Sequence, residues 1–191
     1  MPKEIVKGII DGSISTELGG ARQEVAILFT DVRNFTGLAE TFLAEGGTVD
    51  KYRRRRGDGV LERAASSVRS CRAALSAKTA SEILNRQFAA EELPPFVTRF
   101  GIHVGDAVVG NVGSAERMDY TVLGSSVNLA ARLEALNKEY GTTILVSDAV
   151  RQRVEHCFRF ERIAAVTAKA MTTQTRVHEL VEASVGPQVR P

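Results

Sequence analysis

The sequence predicts an α+β domain in which a mixed sheet carries helices packed on one side. Three observations support this prediction. A compact apolar run at residues 24–32 is typical of a buried strand. Residues 61–85 contain neither glycine nor proline, which favours a long helix. Residues 96–113 have the pattern of a β-hairpin, and shorter strand and helix patterns alternate after it.

The elements can be assigned in chain order. Residues 1–20 are interpreted as a short amphipathic segment and a turn, and residues 46–52 as a turn that leads into a strand. The helix predicted over residues 61–85 has one apolar stripe, formed by Leu61, Ala64, Val68, Cys71 and Leu75. The hairpin is expected to turn at Gly105 and Asp106. The later elements are strands at 118–123, 142–146 and 173–181 and helices at 127–138 and 147–156.

Length and composition narrow the class of protein. A chain of 191 residues can form one domain with a full core but hardly two. Its net charge of +2 gives no reason to expect nucleic-acid binding. No apolar run approaches the roughly 18 residues of a membrane span, so we expect a cytoplasmic segment without membrane contact. Cys71 and Cys157 match no metal-ligand spacing and are expected to be free thiols.

Two local patterns carry chemistry. Asp31 follows the apolar strand and precedes a helix start, where a carboxylate can hold a metal ion and the amides of Asn34, Phe35 and Thr36 can hold phosphate. Asn128 and Arg132 lie four residues apart on a predicted helix, so both project from one face. An amide and a guanidinium on one face can grip a ribose oxygen and a phosphate. A helix cap and a solvated helix face are the alternatives for these two patterns.

Taken in order, these segments resemble a known family. Residues 25–38, 46–52, 57–60 and 100–147 are similar to the class III adenylyl and guanylyl cyclase catalytic domain. The resemblance implies a ferredoxin-like fold, a mixed sheet derived from βαββαβ. It also implies a catalytic domain at residues 21–184, preceded by a connector at 1–20 from an upstream regulatory region. Residues 185–191 are expected to be a disordered tail.

The resemblance implies roles for individual residues. Two divalent cations, Mg²⁺ or Mn²⁺, would be held by the carboxylates of Asp31 and Asp58 and by the backbone carbonyl of Val32. Asn128 would orient the ribose, and Arg132 would stabilise charge on the α-phosphate. The remaining matches concern the base and the outer phosphates, and they are Lys51, Thr121 and Lys169.

The resemblance further implies an enzyme that converts ATP to 3′,5′-cyclic AMP and pyrophosphate in signal transduction. Lys51 can donate to N1 of adenine, whereas guanine presents a donor there, so ATP is the expected substrate. The family builds each site from two subunits, which implies a homodimer with two composite sites. A regulatory domain is expected on the full-length chain, which is either cytoplasmic or the cytoplasmic domain of a membrane-tethered protein.

Three departures from the family pattern keep an alternative open. Few residues remain between Glu40 and Gly46, where a long helical crossover is usual. Four arginines occupy residues 53–56, close before Asp58, and residues 61–65 have a helical pattern where a strand is usual. A catalytically degenerate module that dimerises and binds nucleotide is therefore the alternative function. An RNA-binding domain that uses the arginine run is a weaker one, because aromatic residues are only 6% of the chain.

Overall fold

The computed structural model describes residues 19–33, 60–63, 67–114, 117–167 and 174–184. Seven strands and three helices form in these ranges. The strands are β1 (Gly19–Arg33), β2 (Val60–Arg63), β3 (Val97–Ser114), β4 (Arg117–Leu123), β5 (Ile144–Ser147), β6 (Phe158–Thr167) and β7 (Gln174–Ala183). The helices are α1 (Ser67–Ala90), α2 (Ser125–Tyr140) and α3 (Asp148–Val154).

The strands form one mixed sheet in the order β2-β1-β3-β5-β7-β6, with β4 paired to β3 off this path. Strands β3 and β5 are parallel, and the other described pairs are antiparallel. The predicted α+β class and mixed sheet are therefore confirmed. None of the described helices is long and apolar enough to cross a membrane.

The helices, predicted on one side of the sheet, are divided between its two faces. Alternate residues of β1 show the division, because successive side chains of a strand point to opposite faces. Ala26 and Leu28 pack in a core with Cys71 of α1 and Val150 of α3. Val25 and Ile27 pack on the other face with Ala130 of α2. Helix α2 thus packs apart from the other two, on the face to which Asp31 also belongs by alternation.

The helix predicted from residue 61 is wrong at its start. Residues 60–63 form β2, which pairs antiparallel with β1 so that Val60 lies opposite Leu28 and Arg63 opposite Val25. Helix α1 is described from Ser67 to Ala90. Pairing with a central strand has overridden the local helical pattern, as tertiary context commonly does. The strand that the family places after Asp58 is therefore present.

The hairpin predicted across residues 96–113 is also wrong. Both halves belong to the continuous strand β3, which pairs with β1 in an unbroken register from Val97 opposite Arg33 to Asn111 opposite Gly19. At the predicted turn, Arg22 donates to Asp106 at 2.8 Å across the two strands. The second half of β3 also pairs with β4, on which residues 117–123 lie opposite residues 108–114. Strand β6 was not predicted, and it forms by pairing with β7 along its length.

The two cysteines are free, as predicted. Cys71 is buried in the core under α1, and burial raises the pKa of its thiol to about 12, with a further contribution from Cys157. A thiol with such a raised pKa stays protonated at neutral pH and behaves as a small apolar side chain.

A buried asparagine fastens the end of α2 to the sheet. Asn137 Nδ2 donates to the backbone carbonyls of Phe100, at 2.9 Å, and of Leu133 and Glu134, and its Oδ1 accepts from Thr142 Oγ1 at 2.9 Å. Its side chain is 1% exposed. One side chain therefore joins α2, β3 and the segment that leads into β5.

We expect Asn137→Ala to lower the free energy of unfolding by about 2–3 kcal/mol, because the Phe100 carbonyl and the Thr142 hydroxyl lose a buried partner. For a domain of this size the melting temperature should fall by roughly 5–10 °C. Thermal unfolding followed by circular dichroism measures the change. Asn128→Ala, an exposed position on the same helix, is the control and should leave the melting temperature unchanged. Equal melting temperatures for the two variants would contradict the role of Asn137.

Candidate active site

Asp31 and Val32 lie near the end of β1, and both are partly exposed. Asp31 is opposite Arg99 at the beginning of β3, and its carboxylate has no hydrogen-bond or ion-pair partner among the described residues. Strand β2 starts at Val60, opposite Leu28, so it enters the sheet at the end of β1 that carries Asp31. A free carboxylate and a strand-end carbonyl are oxygen donors of the kind that Mg²⁺ and Mn²⁺ prefer.

Six of the predicted site residues lie outside the described residues. They are Asn34, Phe35, Thr36, Lys51, Asp58 and Lys169. The structure therefore places Asp31, Val32, Thr121, Asn128 and Arg132. The described residues contain no group of three or more His, Cys, Asp or Glu that could hold a metal ion.

Asn128 and Arg132 lie on the outer face of α2, and both are exposed. The opposite face of the helix is apolar, since Leu129, Leu133 and Leu136 pack on Leu145 of β5. Burial of that leucine stripe fixes the rotation of α2 and so directs the amide and the guanidinium to solvent. Neither side chain has a hydrogen-bond partner within the described ranges, so both are available to a ligand.

Helix α2 lies unusually close to β3, and two glycines make this possible. A Cβ atom at Gly101 would overlap the backbone of Ala130 and Glu134. A Cβ atom at Gly105 would lie 2.8 Å from Ser126 Oγ and 2.9 Å from His103 Nε2. Ser126 Oγ donates to the carbonyl of Asp106 at 2.7 Å and so joins the first turn of α2 to the same strand. These contacts set the position of the helix that carries Asn128 and Arg132.

Sequence reasoning missed Gly101, Gly105 and Asn137 as positioning residues. Two glycines four residues apart inside a strand were the available signal, because glycine in a strand interior often marks a close backbone approach. Glycine followed by aspartate is also typical of a tight turn, which is why the sequence predicts a hairpin at Gly105. Nothing in the sequence around Asn137 distinguishes it from an ordinary helix-terminal asparagine.

His103 lies beneath the first turns of α2 and is 8% exposed. Its Nδ1 is 2.8 Å from Ser147 Oγ at the end of β5. Burial lowers the pKa of His103 to about 4, and the charge of Arg153 contributes in the same direction. The imidazole is therefore neutral at physiological pH.

The buried imidazole predicts a pH dependence of stability. The unfolded state binds a proton at His103 near pH 6.5 and the folded state only near pH 4, so unfolding takes up a proton between these values. The stabilisation is complete above about pH 6.5 and is lost as the pH falls towards 4. We expect this site to account for about 3 kcal/mol of that loss. Urea unfolding of the wild type and of His103→Gln at several pH values measures this loss. If the free energy of unfolding depends on pH equally in the two proteins, the role of His103 is contradicted.

Thr121 lies on β4, opposite Gly110 of β3, and is half-buried. Asp31 lies opposite Arg99, which is eleven residues from Gly110 along the same strand. At about 3.3 Å per residue, roughly 35 Å of strand separates the two positions. This is longer than an extended nucleoside triphosphate. Asp31 and Thr121 of one chain therefore cannot contact the same nucleotide.

Comparison with models of known protein families identifies the family of this chain. The family model described as the adenylate and guanylate cyclase catalytic domain matches residues 60–180. The chain therefore belongs to the class III nucleotide cyclase family, and the resemblance stated from the motifs is confirmed.

Single proteins of known sequence or structure are also similar to this chain. Over 209 aligned residues the chain is 35% identical to adenylate cyclase 1 of Rhizobium meliloti, an alignment that covers 95% of this chain and 31% of the relative. A bacterial light-regulated adenylyl cyclase has the same fold with a TM-score of 0.75 and 25% identity, over 96% of this chain and 59% of that one. The guanylyl cyclase Cya2 superimposes with a TM-score of 0.66 and 24% identity, over 90% and 98% of the two chains. The chain spans about a third of the length of the Rhizobium protein.

Proposed function

We propose that this domain is an adenylyl cyclase that converts ATP to 3′,5′-cyclic AMP and pyrophosphate in a homodimer with two composite sites. The observation that carries the proposal is the separation of Asp31 from Thr121 in a chain of the cyclase family. Since one chain holds both kinds of residue too far apart for one nucleotide, a complete site needs Asp31 from one subunit and Thr121 from another. A twofold pair of identical subunits then has two equivalent sites.

The metal ions are proposed from the donor chemistry at the end of β1. The Asp31 carboxylate and the Val32 carbonyl are hard oxygen donors, and with the Asp58 carboxylate they would hold two divalent cations. When bound, such cations lower the pKa of the 3′-hydroxyl and neutralise charge on the triphosphate. Asn34, Phe35 and Thr36 would support the phosphates through their backbone amides, as the start of a helix can.

The remaining groups orient the substrate. Asn128 would hydrogen-bond the ribose, and Arg132 would contact the α-phosphate as the 3′-oxygen attacks the phosphorus and pyrophosphate leaves. A guanidinium is suited to this task because its planar donors match two phosphate oxygens. Lys169 would contact the outer phosphates. Catalysis would then depend on positioning and charge compensation, with little covalent chemistry by the protein.

The choice of ATP rests on the base-contacting pair. The fold alone does not select the base, because adenylyl and guanylyl cyclases both superimpose on the chain. Lys51 and the Thr121 hydroxyl would face the base edge. A lysine ammonium only donates, so it complements N1 of adenine and is mismatched with the N1 hydrogen of guanine. The 35% sequence identity with an adenylate cyclase, over 95% of this chain, supports the same choice.

The test is product formation from each nucleotide. Purified protein is incubated with Mn²⁺ and either ATP or GTP, and cyclic AMP and cyclic GMP are quantified. We expect cyclic AMP to exceed cyclic GMP by at least about tenfold, since one mismatched polar contact in a site costs about that factor. Equal products, or an excess of cyclic GMP, would contradict the choice of ATP.

The arginine run at residues 53–56 favours a second candidate, the non-catalytic regulatory module. Four like charges so close before Asp58 would resist burial beside the base-contacting lysine. A folded dimer that binds ATP and forms no cyclic nucleotide with either metal ion would identify this function.

Further proposals concern the cellular location of the domain and the other parts of the full-length chain. We propose a cytoplasmic location, in a cytoplasmic protein or the cytoplasmic domain of a membrane-tethered one. We also propose that residues 1–20 act as a connector from a regulatory domain and that the catalytic domain occupies residues 21–184; residues 1–18 and 185–191 lie outside the described residues. The greater length of the Rhizobium relative supports a regulatory domain on the full-length protein.

A further inference from the structure

An open groove of about 380 Å³ lies between α3 and strands β6 and β7. We call it the α3 groove. It is on the face of the sheet that α1 and α3 cover, because Leu180 of β7 packs in that core and His178 and Arg176 alternate with the same parity. Asn128 and Arg132 are carried by α2 on the opposite face, so the groove is separate from these two residues of the proposed nucleotide site.

The acidic groups of the groove both have hydrogen-bond or ion-pair partners. Asp148 accepts from Arg151 Nε at 2.9 Å, and its Oδ1 is 2.9 Å from His178 Nε2, which must donate because an ionised carboxylate only accepts. The hydrogen bond from Arg151 lowers the pKa of Asp148, which keeps this carboxylate ionised. Arg151 also pairs with Glu155. The Asp148 and Glu155 carboxylates therefore share one cationic partner, Arg151.

Two further arginines of the groove have no such partner. Arg162 on β6 lies opposite His178 on β7, and Arg176 is two residues from His178 on the same strand face. Both arginines are exposed, and neither has an ion pair or a hydrogen bond among the described residues. By contrast, Arg159 at the start of β6 is paired with Glu161 and Glu182. Arg162 and Arg176 thus give the groove two guanidinium groups without a direct partner among the described residues.

The groove also has an apolar side. The rings of Phe158 and Phe160 meet edge to face with their centroids 6.4 Å apart, and Phe160 is half-buried. Phe158 is 2% exposed and belongs to the core. Phe160 therefore supplies an aromatic surface close to the two arginines, which suits a ligand with an anionic head and a small planar body.

We propose that the α3 groove binds a small organic anion whose carboxylate or phosphate is held by Arg162 and Arg176 and whose planar body contacts Phe160. Guanidinium groups favour both head groups because their paired donors match two oxygens. The groove contains three arginines against two carboxylates, so with a neutral His178 it carries one net positive charge. A singly or doubly charged ligand matches this balance better than a triphosphate does.

The test uses benzoate, phenyl phosphate and acetate as probes, titrated into the purified protein and followed by isothermal titration calorimetry. We expect saturable binding of benzoate, of phenyl phosphate or of both, with a dissociation constant on the order of 1 mM. Binding of one probe alone supports the site and identifies its head group. Acetate should bind at least about tenfold more weakly, since it lacks the ring that contacts Phe160. No saturable binding of either aromatic probe would overturn the proposal.

Two variants distinguish binding in the α3 groove from binding elsewhere on the protein. Arg162→Gln with Arg176→Gln should weaken probe binding by at least about a hundredfold, because two charge-assisted contacts are lost. Arg159→Gln, on the same strand, is the matched control and should bind as the wild type does. Arg159, Arg162 and Arg176 are all exposed, and thermal unfolding verifies that each variant is folded. Undiminished binding by the double variant, or displacement of the probe by a non-hydrolysable ATP analogue, would overturn the assignment.

Discussion

Asp31→Asn should reduce cyclic AMP formation by at least about a hundredfold while the protein stays folded and dimeric. The change removes the negative charge of a carboxylate and keeps its size, so the oxygen that would hold a divalent cation loses most of its attraction for it. Asp31 is partly exposed and has no partner among the described residues, so its loss should leave the core intact. Initial rates with ATP and Mn²⁺ measure the effect.

A matched control lies on the same strand. Glu24 is an exposed carboxylate of β1 whose ion pair with Arg153, at 2.6 Å, lies at the surface. Exposed ion pairs contribute little to stability, and Glu24→Gln should keep both the rate and the melting temperature of the wild type. A wild-type rate in Asp31→Asn would contradict the assignment of this residue to the metal site.

Gly101→Ala should have the largest effect on stability. The added Cβ atom would overlap backbone atoms of Ala130 and Glu134, and backbone cannot move aside as a flexible side chain can. Helix α2 would have to move away from β3, and the contacts of Leu129 and Leu133 with the sheet would loosen. We expect the free energy of unfolding to fall by about 3 kcal/mol or more, at or above the upper range for overpacking a core.

Urea unfolding measures this loss. Val108→Ala serves as the control on the same strand, because Val108 is 40% exposed and its truncation removes little buried surface. The activity of Gly101→Ala should fall together with its stability, since α2 carries Asn128 and Arg132. An unfolding midpoint equal to that of the control would show that α2 can tolerate the extra atom and would contradict the close packing.

The parts of the site with strong local signals could be predicted from sequence. The apolar run before Asp31 forms β1, and the helix predicted at residues 127–138, which carries Asn128 and Arg132, forms α2. In both cases the local preference and the tertiary environment agree, so the pattern is sufficient.

The elements that depend on distant partners could not be predicted in this way. Residues 61–65 favour a helix locally, yet β2 forms at Val60–Arg63 because β1 offers a pairing edge. Gly105 and Asp106 have the composition of a turn, yet β3 runs straight through them because both halves pair with β1. The division of the helices between two faces likewise depends on which strand neighbours which. Sequence spacing alone does not determine that order.

The composite site is tested most directly by mixing two inactive variants. Arg132→Ala and Asp31→Asn are each expected to be nearly inactive as homodimers, because both sites of each dimer lack one group. The family resemblance implies that Asp31 and Arg132 reach each site from different subunits. A heterodimer of the two variants then has one site with both changes and one site with neither. With random pairing, half of the dimers are mixed and each contains one intact site, so co-expressed subunits should recover about a quarter of the wild-type activity. Activity no greater than the sum of the two separate variants, in a sample verified to be dimeric, would contradict a site shared between subunits.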